Sequence, residues 1–201
     1  MAVKQGRLLI AGVDEAGRGP LAGPVVAGAV ILNPDIAING LNDSKLIPDE
    51  KREFLYDLIL ERALGVGVGI VGEKEIDRLN ILNATFKAMQ IALNQLKQNP
   101  DIIYVDGNRT IPELKARQMA IIKGDTRIPE IMAASIIAKV TRDRLMIDYS
   151  KKYACYGFER HKGYATPEHY KAIKENGPCP IHRMSFAPFR EMFLFGGEED
   201  N

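Results

Sequence analysis

Four carboxylates in this chain stand where short apolar runs end. They are Asp14 and Glu15 in Val13-Asp14-Glu15, Asp106 in Val105-Asp106-Gly107, and Asp125 in Lys123-Gly124-Asp125. Acids at the ends of neighbouring strands can converge on one rim of a sheet, where function tends to lie. Without cations such a cluster would repel itself and raise the pKa of its members. Hard oxygen donors of this kind suit Mg²⁺ or Mn²⁺ and two-metal phosphoryl chemistry. An acid beside glycine is also ordinary turn chemistry, but three such endings together weigh toward a site. Adjacent strand residues face opposite sides. Asp14 and Glu15 therefore share a site only where the chain turns at Glu15, and the Ala-Gly-Arg-Gly-Pro that follows is expected to make that turn.

The segment DEAGRGP (14–20) is the sharpest local signal. It lacks the closing Gly-Lys-Ser/Thr of a P-loop. Its glycines beside an acidic cluster would let the backbone approach a sugar or phosphate closely, although a tight hairpin also needs glycine. Downstream, Ser135, Lys139 and Arg142 fall at i, i+4, i+7 on a long helix, while Met132, Ile136 and Val140 line another face with Ala133 and Ile137. The polar stripe is a candidate for phosphate contacts, which position a duplex without reading its sequence; it also fits a solvated helix face. Asp143 is the i,i+4 partner of Lys139, a more economical role than a fourth site acid. None of the three histidines has metal-ligand spacing: His161 is placed to orient its neighbours, His169 reads as surface helix, and His182-Arg183 as an anchor for the C-terminal segment.

The elements that must position these groups alternate in rhythm. Runs 8–16, 24–32 and 63–72 are short, β-branched and glycine-spaced, which predicts strands. The link between the first two is too short for a crossover helix, so they form an antiparallel pair. Residues 48–63 predict an amphipathic helix with Phe54, Leu55, Leu58 and Ile59 on one face. A second helix is expected over 81–98, with Phe86, Met89, Ala92, Leu93 and Leu96 inward, then strands over 101–107 and 117–125, and a long helix over 129–149. Strand–helix–strand spacing here implies parallel neighbours. An antiparallel start feeding parallel strands is a mixed α/β sheet, and the last forty residues read as loop and short helices packed against it.

The 201 residues, 46% hydrophobic and 26% charged, suffice for one ordinary domain with a sizeable core. No apolar run reaches membrane-spanning length and the start has no long apolar h-region. Cys155 and Cys179 form neither a zinc spacing nor a disulfide framework, which suits a reducing cytoplasm, the expected location. Taken as a total, the net charge of +1 disfavours a polyanionic partner, but it averages an uneven chain. Residues 1–122 carry −1, 123–183 carry +5 and the remainder −3. Segment charge is the better guide to such a partner.

Taken together and in order, DEAGRGP (14–20), NDSK (42–45), VDGN (105–108), KGD with AASIIAKVTRD (123–125 and 133–143), HKGY (161–164) and HRMSF (182–186) resemble type 2 ribonuclease H, specifically the bacterial ribonuclease HII family. The resemblance covers residues 8–190. It implies an α/β, RNase H-like fold: a mixed five-stranded sheet of three antiparallel strands then parallel strands, flanked by helices, with a helical C-terminal segment. Residues 1–190 would be a single catalytic domain including that segment from about 150, and 191–201 a flexible acidic tail.

The implied activity is endonucleolytic hydrolysis of the RNA strand of RNA–DNA hybrids, and incision 5′ to ribonucleotides embedded in duplex DNA. Two divalent ions, Mn²⁺ or Mg²⁺, would act at the phosphodiester, leaving 3′-OH and 5′-phosphate ends. By motif position the metal-binding and catalytic acids are Asp14, Glu15, Asp106 and Asp125, with Asp14 shared between the ions. Gly17, Arg18 and Gly19 would read the 2′-OH of the target ribonucleotide through their backbone. Tyr164 would pack near that sugar, Lys45 would hold a backbone phosphate, and Ser135 and Lys139 would contact substrate. Alone, Tyr164 fits an ordinary surface aromatic and Lys45 a turn lysine. The implied partners are an RNA–DNA hybrid or a DNA duplex containing ribonucleotides, bound by a monomer away from any membrane. The ending EMFLFGGEEDN is faintly similar to motifs that bind replication clamps but lacks their leading glutamine, so a solvated tail is the simpler expectation.

Two rivals are open at this level. A non-catalytic hybrid-binding module would have no use for concentrated negative charge facing phosphate. A DNA-directed nuclease of the same fold would need no 2′-OH reader, which Gly17-Arg18-Gly19 and Tyr164 supply.

Overall fold

The computed structural model describes residues 8–189. In chain order the elements are β1 (Ile10–Ala16), β2 (Val25–Ile31), α1 (Asp49–Arg62), β3 (Gly65–Val71), α2 (Glu73–Leu79), α3 (Ile81–Asn94), β4 (Ile102–Asp106), β5 (Gln118–Ile121), α4 (Pro129–Lys152), α5 (Phe158–His161) and α6 (Pro167–Asn176). The strands form one sheet in the order β3-β2-β1-β4-β5. β1 pairs antiparallel with β2, and β2 with β3, while β4 lies parallel to β1 and β5 parallel to β4. The expected mixed five-stranded α/β architecture is therefore present.

Helices cover both faces. On one, Ala84, Ala88, Met89 and Ala92 of α3 bury against Ala11 and Val13 of β1 and Ala27 and Ala29 of β2. On the other, Leu55 and Ile59 of α1 pack with Ala133, Ile136, Ile137 and Val140 of α4 over Val30. Each buried Leu, Ile, Val or Met contributes about 1.5–3 kcal/mol relative to exposure, and each alanine methyl roughly 0.8 kcal/mol. α4 lies close on the sheet because β1 and β2 present glycine there. A Cβ at Gly28 would come 2.3 Å from the Ala134 carbonyl oxygen, and one at Gly12 would be 2.1 Å from the Glu130 backbone.

The structure departs from expectation in several places. Phe54 is 63% exposed. The buried line of α1 is Arg52, Leu55 and Ile59, at i, i+3, i+7, and Phe54 falls off that line. β5 ends at Ile121, so Asp125 sits on a three-ten turn (Gly124–Thr126) and not at a strand end. The helix α2 was not expected, and α4 runs on to Lys152. The C-terminal segment builds its own core from Phe158, Tyr156, Ala172, Ile173 and Ile181 against Met146 of α4 and Leu21-Ala22, away from the sheet faces. Within it His169 is wholly buried, against the reading of a surface helix residue. Among the described residues no helix is long and apolar enough to cross a membrane. The ending from 191 lies outside them.

Candidate active site

β1 and β4 run side by side in the same direction, with Val13 opposite Val105, so their ends bring Asp14 and Asp106 to one rim. Asp106 Oδ1 then accepts hydrogen bonds from the N–H groups of Gly124 (2.8 Å) and Asp125 (3.2 Å). One carboxylate thus pins the turn that presents another. Oxygens of Asp14, Asp106 and Asp125 all lie within 4.8 Å of one another.

Glu15 is arranged differently. The chain does not turn at this residue: β1 stays paired through Ala16, with Asp14 opposite Gly28 and Glu15 opposite Ala27. Strand alternation starts the two side chains in opposite directions, yet Glu15 lines a cavity with Ser135 and Lys139 of α4 and interacts electrostatically with Asp14 and Asp106. Asp14 faces α4, where Ser135 partly offsets the rise in its pKa, and the Ser135 and Ser44 hydroxyls lie 2.9 Å apart. The Glu15 carboxylate accepts from Arg18 Nη1 at 3.3 Å, and the Glu15 N–H donates to Asp14 Oδ1 at 2.7 Å. Its charge acts on Asp14 and is felt with Asp106 and Lys45, although the oxygens found within 4.8 Å of one another are those of Asp14, Asp106 and Asp125.

The electrostatics are unfavourable as they stand. Burial, then Glu15 and Asp106, hold the Asp14 pKa well above its ordinary 3.8. Burial also raises Glu15 against the pull of Arg18, and burial with Asp125 raises Asp106 against its two N–H bonds. Among the described residues the three aspartates have one ion-pair partner: Lys45, whose Nζ lies 3.6 Å from Asp125 Oδ2. Partial burial opposes the charge on Lys45, yet Asp43, Asp125 and Asp14 outweigh it and raise its pKa. Three converging hard oxygen donors with this little compensation fit a divalent cation.

A cavity of about 770 Å³ opens beside the cluster. Gly17, Arg18, Gly19, Lys45, Ser135, Lys139 and Tyr164 all line it, so the structure brings together every substrate-binding candidate read from the sequence. Exposed Leu46 lines it too, and Glu15 and Arg18 also border a smaller depression with Asp106, Asn108 and Arg109. Lys139 is held by Asp143 at 2.8 Å, the pairing expected for that acid. Arg142 does not share the stripe's outlook. It is 1% exposed and donates to the carbonyls of Pro24 (2.9 Å), Ala22 (3.0 Å) and Lys162 (3.0 Å).

Sequence reasoning missed what lies beneath this groove. Arg183 is fully buried and donates to the carbonyls of Gly17, Arg18 and Gly23. Under Tyr164 runs a chain of histidine contacts. His169 Nδ1 meets the Tyr164 carbonyl at 2.9 Å, and His169 Nε2 meets His182 Nε2 at 3.0 Å. A carbonyl can only accept, so His169 carries its proton on Nδ1 and His182 donates from Nε2. The bare His182 Nδ1 then accepts the Cys179 N–H at 2.8 Å. His161 donates from Nε2 to the Tyr156 carbonyl (2.7 Å) and accepts the Gly163 N–H at 3.2 Å. Burial pushes His169 and His182 down to about 4, which keeps both neutral in this arrangement. Carbonyl partners carry no residue identity, so no sequence pattern signals these roles.

Comparison with known proteins agrees with this arrangement. The family model for Ribonuclease HII matches residues 11–189. A Ribonuclease HII of Acetivibrio thermocellus is 58% identical over 185 residues, covering 92% of this chain and 72% of its own. Among solved structures, ribonuclease H2 from Pyrococcus horikoshii OT3 superposes with a TM-score of 0.76 at 31% identity, covering 91% of this chain and 96% of that one. A PCNA:RNase HII complex from Archaeoglobus fulgidus gives 0.74 at 30% identity, covering 89% and 95%.

Proposed function

Because the chain belongs to the ribonuclease HII family and is an endoribonuclease of the type 2 ribonuclease H class, we propose that it cuts the RNA strand of RNA–DNA hybrids. We propose further that it incises 5′ to single ribonucleotides in duplex DNA. The observation that carries this reading is the meeting of Asp14, Asp106 and Asp125 beside a groove lined by Gly17, Arg18, Gly19, Lys45 and Tyr164. Acids suited to phosphoryl chemistry adjoin, through Glu15, Lys45 and Ser135, an opening lined by a backbone able to meet a 2′-OH.

Asp14, Glu15, Asp106 and Asp125 would hold divalent ions, Mg²⁺ or Mn²⁺ and two with substrate bound. Such ions supply charge stabilisation at the phosphodiester and a water acidic enough to attack it. The remaining work falls to the chain. Lys45 and Lys139 offer cations to backbone phosphates, which position the duplex without reading bases. Asp143 and Asp125 restrain these lysines, so each meets substrate with part of its conformational freedom already lost. The Gly17–Gly19 backbone meets the 2′-OH, the group that separates RNA from DNA at a single position. Tyr164, 45% exposed and held through its own backbone by His161 and His169, presents its ring to that sugar. The products would be 3′-OH and 5′-phosphate ends.

The test is a duplex of DNA with one ribonucleotide, incubated with the protein in Mg²⁺ or Mn²⁺. Incision 5′ to the ribonucleotide is expected, with none when it is replaced by its deoxy form. Equal cutting of both duplexes, or no cutting of either, would refute the assignment. The archaeal complex with PCNA supports a clamp contact for this chain as well. A pull-down with and without the residues from 191 onward tests whether the C-terminus carries it.

A further inference from the structure

The two most deeply buried arginines in the described structure, Arg142 and Arg183, both donate to backbone carbonyls of the segment 17–24. Buried charges are ordinarily paired with opposite charge or fully hydrogen-bonded. Here the hydrogen bonds are directional. Arg183 Nη2 donates to the Gly17 carbonyl at 2.6 Å and Nη1 to the Arg18 carbonyl at 3.0 Å, while Nε takes the Gly23 carbonyl at 2.9 Å.

In a planar trans peptide the C=O and N–H bonds point in opposite directions. The peptide joining Gly17 to Arg18 has its carbonyl turned down onto Arg183, so the Arg18 N–H turns away from it. The peptide joining Arg18 to Gly19 is held in the same sense, so the Gly19 N–H also turns away. These residues line the groove. Among the described residues neither N–H has a backbone partner. Gly17 takes φ +95°, and a Cβ there would lie 2.1 Å from Arg142 Nε, so the two arginines close beneath the loop only at glycine. Two successive N–H groups facing the same way make a small concavity for an electronegative atom.

We infer that Arg183 is a positioning residue that sets the ribose-over-deoxyribose preference by turning the Arg18 and Gly19 N–H groups toward the 2′-oxygen of the substrate. This rests on the reading that the Gly17–Gly19 backbone meets the target ribonucleotide. Arg142 braces the same segment from α4 and ties it to Lys162, two residues before Tyr164. Arg183 itself touches no substrate; it acts through the peptide planes above it.

The test measures the affinity of wild type, Arg183→Met and Arg183→Lys for two labelled duplexes, one with a single ribonucleotide and one entirely of DNA, without divalent ions. Wild type should prefer the ribonucleotide duplex. Arg183→Met should weaken that binding about tenfold or more while leaving the DNA duplex within about twofold, because loss of orientation removes hydrogen bonds worth about a factor of ten each. Arg183→Lys, which keeps a donor, should recover part of the preference. With divalent ions, the loss should appear in KM for the ribonucleotide duplex more than in kcat. A wild-type preference that survives intact in Arg183→Met would overturn this inference alone. Equal binding of the two duplexes by wild type would overturn the ribose reading and the inference with it. Should Arg183→Met fail to fold, the amide resonances of Arg18 and Gly19 in the wild type decide. Both should shift with the ribonucleotide duplex and not with the DNA duplex, and equal shifts with the two would overturn the proposal.

Discussion

Replacing Asp14 by Asn should make the metal-free protein more stable while it removes activity. Asp14 is 5% exposed, and oxygens of Asp14, Asp106 and Asp125 lie within 4.8 Å of one another. Two unit charges at that separation repel by about 3 kcal/mol at an effective dielectric of about 20. Burial adds a cost of its own for the charged form, and it is the first cause of the raised pKa. Asn keeps an oxygen to accept the Glu15 N–H now bound by Asp14 Oδ1. Screening and partial protonation reduce the full sum, which leaves an expected gain of about 1–3 kcal/mol. The sign with pH follows from linkage. An acid whose folded pKa lies above its unfolded value destabilises the fold at pH above that raised value, and the penalty disappears below the ordinary 3.8. The gain should therefore be larger at pH 8 than at pH 5 and vanish on acidification below 3.8. Urea unfolding of both proteins in chelator-treated buffer at pH 8 and pH 5 measures it. Adding Mg²⁺ or Mn²⁺ at a hundredfold excess over its dissociation constant should stabilise wild type by about 2.7 kcal/mol and the variant far less. Incision of the ribonucleotide duplex should fall about a hundredfold or more. A variant less stable than wild type without metal would refute the claim that the cluster is held at an electrostatic cost.

The buried histidine pair predicts acid sensitivity of the opposite sign. With folded pKa values of about 4 for His169 and His182 against an ordinary 6.5, stability is intact above 6.5 and is lost as pH falls toward 4. Between pH 7 and 5 the loss is about 2 kcal/mol per residue, so His182→Gln should show a flatter denaturation profile over that range; parallel profiles would contradict the assignment. Lys45→Ala should weaken binding of ribonucleotide and all-DNA duplexes alike and lower the slope of log affinity against log salt by about one, as read by anisotropy titrations at several salt concentrations. Asp143→Asn should cost less than about 1 kcal/mol in kcat/KM, since it loses only a partly exposed pair with Lys139. Asp125→Asn should abolish incision, and steady-state kinetics on one substrate separates the two acids.

Much of the site could be read in one dimension because its chemistry resides in side-chain identity. Asp14, Asp106 and Asp125 carry the hard oxygen donors that a metal site uses, and Asp14 and Asp106 follow apolar runs whose parallel pairing brings their ends to a common rim. The ordered motifs around them were sufficient to identify the family and, with it, the lining of the groove. The antiparallel link from β1 to β2 was legible too, since its length excluded a crossover helix. Helix faces were read less well. Phe54 was expected inward on hydrophobicity, but α1 turns Arg52, Leu55 and Ile59 to α4, and an arginine whose donors are satisfied can occupy such a position.

What only the tertiary structure decided concerns direction and backbone partners. The β1–β2 pairing continues past Asp14 and Glu15 with no turn between them, and Glu15 still lies near enough to act on the charge of Asp14 and Asp106. Asp125 reaches the cluster because two N–H groups of its turn bind Asp106, a bond between a carboxylate and backbone atoms common to almost every residue. Arg183 does anchor the C-terminal segment, while Arg142, placed by helical spacing on a polar stripe, and His169, read as surface helix, are as buried as it is. Their partners are carbonyl oxygens brought near by folding over more than a hundred residues in the arginine cases. Sequence determined which chemistry this chain can hold; the fold determined which way its peptide planes face, because peptide groups carry no side-chain identity from which a pattern could be read.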